Sequence, residues 1–194
     1  MVSNYDNYDY KQEYWVNANR QYEDYCEKQT IKRLLANIKV QIHTLVDCGC
    51  GFGRLFPIYE NKAEKKHLID YSEDMIVSAK SDIGERDDVV LQQGNIYELP
   101  LTDATVTLFL SVRTLHHMES PDLYFSEINR VLDTHGYLIF EIPNKCHLLN
   151  ILRFSLKKIA ENPFSEKPLK LSHSFYNFHP NFIYNLLNKN KFKV

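Results

Sequence analysis

The stretch "HTLVDCGCGFGRLFPIY", residues 43–59, sets the first question. An apolar run of strand length ends on Asp47, and Gly49, Gly51 and Gly53 then alternate with Cys48, Cys50 and Phe52. Three readings compete: a metal or redox pair of cysteines, a nucleotide-binding turn, or a merely tight loop. Residues i and i+2 leaving a strand diverge, and no second cysteine or histidine pair lies at zinc spacing, so a metal site is disfavoured. Glycines give the backbone positive φ and let a ligand come close, and a helix beyond them offers free N–H groups. A dinucleotide turn, G-x-G-x-x-G, needs a small residue at position 54, where this chain has Arg54. The observed order, Asp47-x-Gly49-x-Gly51-x-Gly53, places an acid at the strand end and suits a ligand with an amino group better than a pyrophosphate.

Outward from this turn, apolar periodicity switches between strand and helix. Residues 1–21 are polar and aromatic without a period and read as an irregular arm. Tyr22 to Ile38 carries helical spacing. "HTLVDC" is a buried strand, and "RLFPIYENK" opens a helix that holds Pro57 in its first turn. "KHLIDYS" is a second strand, and "SEDMIVSAKSDI" a helix capped by Ser72. "VVLQQGN", "TVTLFLSV" and "GYLIFEIP" are the third, fourth and fifth strands. The helix between the last two starts at Ser120–Pro121 and is expected to stop at Gly136. Strands alternating with helices imply right-handed crossovers and a doubly wound, mainly parallel α/β sheet. Ligands in such sheets sit at the carboxyl ends of the strands, where the order reverses. The second strand ends on Asp70, placed to accept hydrogen bonds from a ribose diol, and Tyr71 is suited to lie along an adenine face.

Composition bounds the class. The chain has 194 residues, 44% of them apolar and 25% charged, which fits one globular domain. No apolar run approaches the ~18 residues of a spanning helix, and "MVSNYDNYDYKQ" has no leader pattern. Four scattered cysteines argue against a disulfide framework, so a reducing, cytoplasmic setting is expected. The net charge of −2 conceals an asymmetry: from Lys145 onward nine Lys/Arg face two acids, a balance of +7, leaving −9 for the rest. That basic end suits a solvated face, an anionic acceptor or a phospholipid surface. No basic-aromatic module for nucleic acid is present.

Five ordered motifs between residues 40 and 145 resemble those of class I S-adenosylmethionine-dependent methyltransferases of the small-molecule type: "VDCGCGFG", "LIDYSEDMI", "QQGNIYELPL", "LFLSVRTLHHM" and "EINRVLDTHGYLIFEIPN". The resemblance implies S-adenosyl-L-methionine as cofactor and a small-molecule methyl acceptor. It implies that Gly49, Cys50 and Gly51 face the methionine part, with Asp47 beside its ammonium. Asp70 would take the ribose hydroxyls, Asn95 the adenine amino group and the Ile96 backbone a ring nitrogen. Ser111, closing the fourth strand, would touch the amino-acid end, and Arg20 in the arm would pair with the carboxylate. The organisation expected is an arm and helix over residues 1–39 closing on the site, a cofactor core over 40–145 and a lid or acceptor region over 146–194. The family normally adds a sixth and an antiparallel seventh strand; these are expected to be missing, which leaves a sheet edge open to a homodimer contact.

The sequence names no catalytic residue. A sulfonium methyl is already activated, so transfer relies on positioning, and a base is needed only for a poor nucleophile. His116 and His117 are the candidates for such a base, with His173 and His179 as acceptor-pocket candidates. "CHLLNILRFSLKKIA" reads as an amphipathic basic helix forming a lid, with membrane-surface contact as the alternative. The competing function is a binding protein or partner subunit that holds the cofactor without turnover.

Overall fold

The computed structural model describes residues 11–172 and 175–194. Its centre is a five-stranded, all-parallel sheet. The strands are β1 (Thr44–Cys48), β2 (Lys65–Asp70), β3 (Val89–Gln93), β4 (Val106–Ser111) and β5 (Leu132–Phe140). They lie in the order β3-β2-β1-β4-β5, so the chain reverses its direction of travel between β1 and β4. The inner strands β1 and β4 are almost wholly buried, while the outer strands are only partly so. Cys48 lies level with Ile69 on β2, and Asp47 level with Leu110 on β4, which brings three strand ends to one rim.

Side chains alternate across a strand, so one sheet feeds two cores. Val46, Cys48, Ile69 and Phe109 pack on one side with Phe125 and Ile128 of α4 (Pro121–Val131) and Ile183 of α6 (Pro180–Lys189). Leu45, Leu68, Leu108 and Leu110 pack on the other with Ile31 and Leu35 of α1 (Gln21–Asn37), Phe56 and Tyr59 of α2 (Phe56–Tyr59) and Ile76 of α3 (Glu73–Ile83). Each fully buried leucine contributes roughly 1.5–3 kcal/mol. α3 begins as its sequence demands: the Ser72 side chain accepts the Met75 N–H, and Gly84 ends the helix at φ +77°.

Several elements differ from expectation. Lys11–Val16 forms a π-helical turn where an irregular arm is expected; residues 1–10 lie outside the described residues. β5 begins at Leu132, immediately after α4, and Gly136 sits inside the strand instead of behind the helix. A Cβ at Gly136 would come within 2.8 Å of the Val106 carbonyl oxygen, so the glycine serves strand-to-strand approach. The late loop contains an antiparallel hairpin of β6 (Leu169–Ser172) and β7 (Phe175–Asn177). α5 (Leu148–Ser155) is shorter than the basic helical pattern, because Lys157 takes φ +54°. The closing "KFKV" forms no strand; Phe192 packs on the core instead. Among the described residues β5 is the edge of the sheet on that side.

Candidate functional site

At the rim where β1, β2 and β4 end, a cleft with a cavity volume of about 90 Å³, partly open to solvent, is lined by Gly49, Gly51, Asp70, Ile96, Arg113 and His117, among others. The glycine turn forms its floor. Gly49, Gly51 and Gly53 have φ of +78°, +55° and +81°, a region closed to most side chains. Each serves a different neighbour. A Cβ on Gly49 would lie 2.2 Å from Thr114 Oγ1, and one on Gly53 would lie 2.9 Å from Ile83 Cδ1. One on Gly51 would meet nothing within 4 Å, because Gly51 faces open space. The turn is tied to β2 by the Gly49 and Cys50 N–H groups, both donating to the Ile69 carbonyl (2.8 and 3.2 Å).

Asp70 closes the same wall. Its Oδ2 accepts the Gly51 N–H at 2.8 Å and its Oδ1 accepts the Ser72 N–H at 2.9 Å. These bonds hold the carboxylate at the rim of the cleft, which Asp70 lines. Tyr71 and Ile96 line the cleft as well. Cys50 lies behind Gly51, lining a smaller hollow with Gly49, Trp15, Arg54 and Arg113.

Four expected site residues are placed elsewhere. Asp47 shares the Leu45 face of β1 by the two-residue period, so it points beneath α2 and accepts the Tyr59 hydroxyl. It is 1% exposed. Burial pushes its carboxyl up to about 7; the Tyr59 hydrogen bond and Arg54 oppose this, and Asp70 adds to it. Ser111 is fully buried and donates to the Cys48 carbonyl (3.2 Å). Asn95 is exposed, and its side-chain oxygen accepts the Tyr97 N–H (3.0 Å) in a local turn. Arg20 pairs with Glu23 (2.8 Å) and stacks over Tyr14, outside the cleft lining.

The cation in the cleft is Arg113, which the sequence reading passes over. It follows β4 at φ +59°, and its backbone N–H donates to Glu141 (3.1 Å). Its guanidinium pairs at 2.6 Å with both Glu23 and Glu27 of α1. Burial works against that charge, but the two carboxylates hold Arg113 firmly protonated. Arg54 makes the parallel contact, pairing with Asp24 (2.5 Å) and Glu27 (2.6 Å) and stacking 3.9 Å over Trp15. α1 is therefore clamped across the glycine turn by two arginines. The Trp15 Nε1–H, buried beside them, has no hydrogen-bond partner among the described residues.

On the opposite wall, His117 lines the cleft, and Phe175 of β7 stacks on His116 (5.0 Å) and meets His117 edge-on (4.8 Å). Burial, helped by His117 and Arg113, lowers His116 to about 3, so it is neutral and a very weak base. His179 caps α6, its Nδ1 accepting the Asn181 N–H. His173 lies outside the described residues. No trio of His, Cys, Asp or Glu among the described residues is arranged to hold a metal ion.

These features meet a match in known proteins. Residues 46–140, about half the chain, match the methyltransferase domain family. An uncharacterized protein of Methanocaldococcus jannaschii is 31% identical over 127 residues, 66% of this chain and 52% of that protein. A probable S-adenosylmethionine-dependent methyltransferase of Mycolicibacterium smegmatis is 27% identical over 52% of this chain and 38% of its own length. The chain thus spans about half or less of the curated relatives it matches. Among solved structures, a methyltransferase of Thermotoga maritima shares the fold, with a TM-score of 0.65 at 20% identity, covering 94% of this chain and 80% of that one. With its five parallel strands, a glycine turn at the reversal and these matches, the chain belongs to the class I S-adenosylmethionine-dependent methyltransferases.

Proposed function

We propose that this chain transfers the methyl group of S-adenosyl-L-methionine to a small-molecule acceptor held between the cleft and the β6–β7 hairpin. One observation carries the reading most: Gly51 opens on free space while its N–H holds Asp70 at the same rim. A side chain at either glycine of the floor would remove the room or displace Thr114. When bound, the sulfonium supplies an activated methyl group. The protein's part is to bind, orient and exclude water. Asp70, oriented at the cleft by two backbone N–H groups, takes the ribose hydroxyls. Tyr71 and the Ile96 region flank the adenine, with Ile96 replacing Asn95 as the nearer group because Ile96 lines the cleft.

Arg113 and the unpartnered Trp15 N–H take the carboxylate role expected of Arg20. Asp47 acts as a buried support under the turn, fixing α2 through Tyr59, instead of touching the ammonium. His117 forms the acceptor wall, whereas His116, held neutral, positions Phe175. Our reading of the organisation is an N-terminal arm and helix over residues 1–39 closing the site, a cofactor core over 40–145, and a lid or acceptor region over 146–194.

Calorimetric titration with S-adenosylhomocysteine and separately with NAD tests this proposal. Binding of the former with ~1:1 stoichiometry and none of the latter is expected; tight NAD binding alone would overturn it. Binding without any methyl transfer across a panel of small nucleophiles would favour the non-catalytic alternative.

A further inference from the structure

α5 presents its apolar face to solvent. Leu148, Leu149, Leu152 and Leu156 are 70%, 58%, 48% and 65% exposed. At about 100° per residue they fall within roughly a quarter to a third of the helix circumference, so they form one stripe. The helix is not loosely docked: on its other side Asn150 is buried and donates to the Lys145 carbonyl at 3.1 Å. Lys145 is buried in turn, its ammonium donating to the Ser165 and Lys167 carbonyls at 2.9 Å each. The leucines are thus held outward by a fixed polar anchor.

Charge beside the stripe decides what can cover it. Arg153, Lys157, Lys158 and Lys167 are exposed, and none has an acidic partner among the described residues. The loop and hairpin behind α5 add exposed Phe164 and Leu171 to the same segment. Leucines flanked by unpaired cations fit the interface of an anionic bilayer, which takes the apolar stripe into its headgroup boundary and the cations onto its phosphates. A second copy of the chain fits poorly, since a symmetric contact would set these cations against their own equivalents. No helix among the described residues is long and apolar enough to cross a membrane, so the contact is with the surface.

We propose that α5 with its basic flank docks this chain on an anionic phospholipid surface. Phe175, in the same hairpin as the exposed Leu171, packs on His116 and His117. The inference stands on this surface alone and does not require methyl transfer. Sedimentation with vesicles tests it, comparing phosphatidylcholine alone with phosphatidylcholine containing ~30% phosphatidylglycerol. The chain should pellet with the anionic vesicles, and raising salt from about 0.05 to about 0.5 M should weaken that binding strongly. Leu152→Ser/Leu156→Ser should lower the partition about tenfold or more, and Lys157→Gln/Lys158→Gln roughly fivefold or more. Both variants change exposed positions, and unchanged melting temperatures verify that they remain folded. Absence of binding to anionic vesicles, or equal binding by the leucine variant, overturns the proposal. So would a concentration-dependent dimer of the parent chain that the leucine variant abolishes.

Discussion

Substituting Gly49 by alanine should do two separable kinds of damage. The residue sits at φ +78°, where an alanine costs roughly 1–2 kcal/mol. Its new Cβ would lie 2.2 Å from Thr114 Oγ1, a distance no structure tolerates, so Thr114 must move. The Thr114 hydroxyl is buried and lies 3.1 Å from the Cys48 carbonyl and 3.2 Å from that of Val112, and breaking this link adds about 1 kcal/mol. The total is roughly 2–3 kcal/mol, or a melting temperature lowered by roughly 4–12 °C for a chain of this size. Gly51→Ala provides the contrast. It meets no atom within 4 Å, so only the backbone term remains, about 1 kcal/mol, while its methyl group projects into the cleft. Thermal denaturation and S-adenosylhomocysteine titration of both variants, and of Gly49→Ala/Thr114→Ala, read these terms apart. Gly49→Ala should be the less stable of the two. The double variant should recover about 1 kcal/mol relative to additivity, and Gly51→Ala should lose affinity with little loss of stability. Equal destabilisation by both glycine variants, together with strict additivity in the double variant, would refute the reasoning.

Further outcomes follow from the same geometry. Asp70→Asn keeps one acceptor oxygen for the Gly51 and Ser72 N–H groups but loses the charge. Calorimetry should therefore show S-adenosylhomocysteine affinity reduced roughly 10–100-fold in a folded protein, and an unchanged affinity would remove Asp70 from the site. Asp47 gives a pH signature. Its folded pKa of about 7 exceeds the ordinary 3.8 of an aspartate, so the native state holds the extra proton between those values. Stability relative to the unfolded chain is then full below pH 3.8 and lost as pH rises towards about 7. Urea midpoints taken at about pH 5 and about pH 8 should drop less in Asp47→Asn than in the parent, and parallel drops would count against the assignment. Arg113→Gln breaks pairs with Glu23 and Glu27 that are only partly shielded, so it should cost about 1–3 kcal/mol in urea denaturation. It should also weaken S-adenosylhomocysteine, whereas Arg20→Gln should leave that affinity nearly intact; the reverse pattern would restore Arg20 to the site.

The parallel sheet was legible because β1 and β4 are short apolar runs, and Ser72 and Pro121 marked helix starts correctly. The glycine turn was legible for the same reason: positive φ leaves a chemical mark on the sequence. Boundaries that depend on tertiary contact were not. Gly136 reads as a helix stop, yet it is inside β5 because the Val106 backbone passes too close for a side chain. The hairpin β6–β7 has few strand cues, and its packing on His116 and His117 is a long-range contact. Within the site, strand parity alone placed Asp47 on the Leu45 face, so its burial against Tyr59 was there to be read. Arg113 was hidden differently. Nothing local distinguishes it from a surface arginine, and only the fold brings Glu23 and Glu27 of α1 to it. Arg54 illustrates the opposite case. Its size argues against a dinucleotide turn, and in the structure it lies over Trp15 and pairs with Asp24, largely buried.

A crystal structure of the chain grown with S-adenosylhomocysteine tests the account most directly. The ligand's ribose hydroxyls should lie within hydrogen-bond distance of Asp70, its amino-acid end over Gly49 and Gly51, and its carboxylate against Arg113. A ligand bound elsewhere, or one in this cleft whose ribose leaves Asp70 untouched, would contradict it.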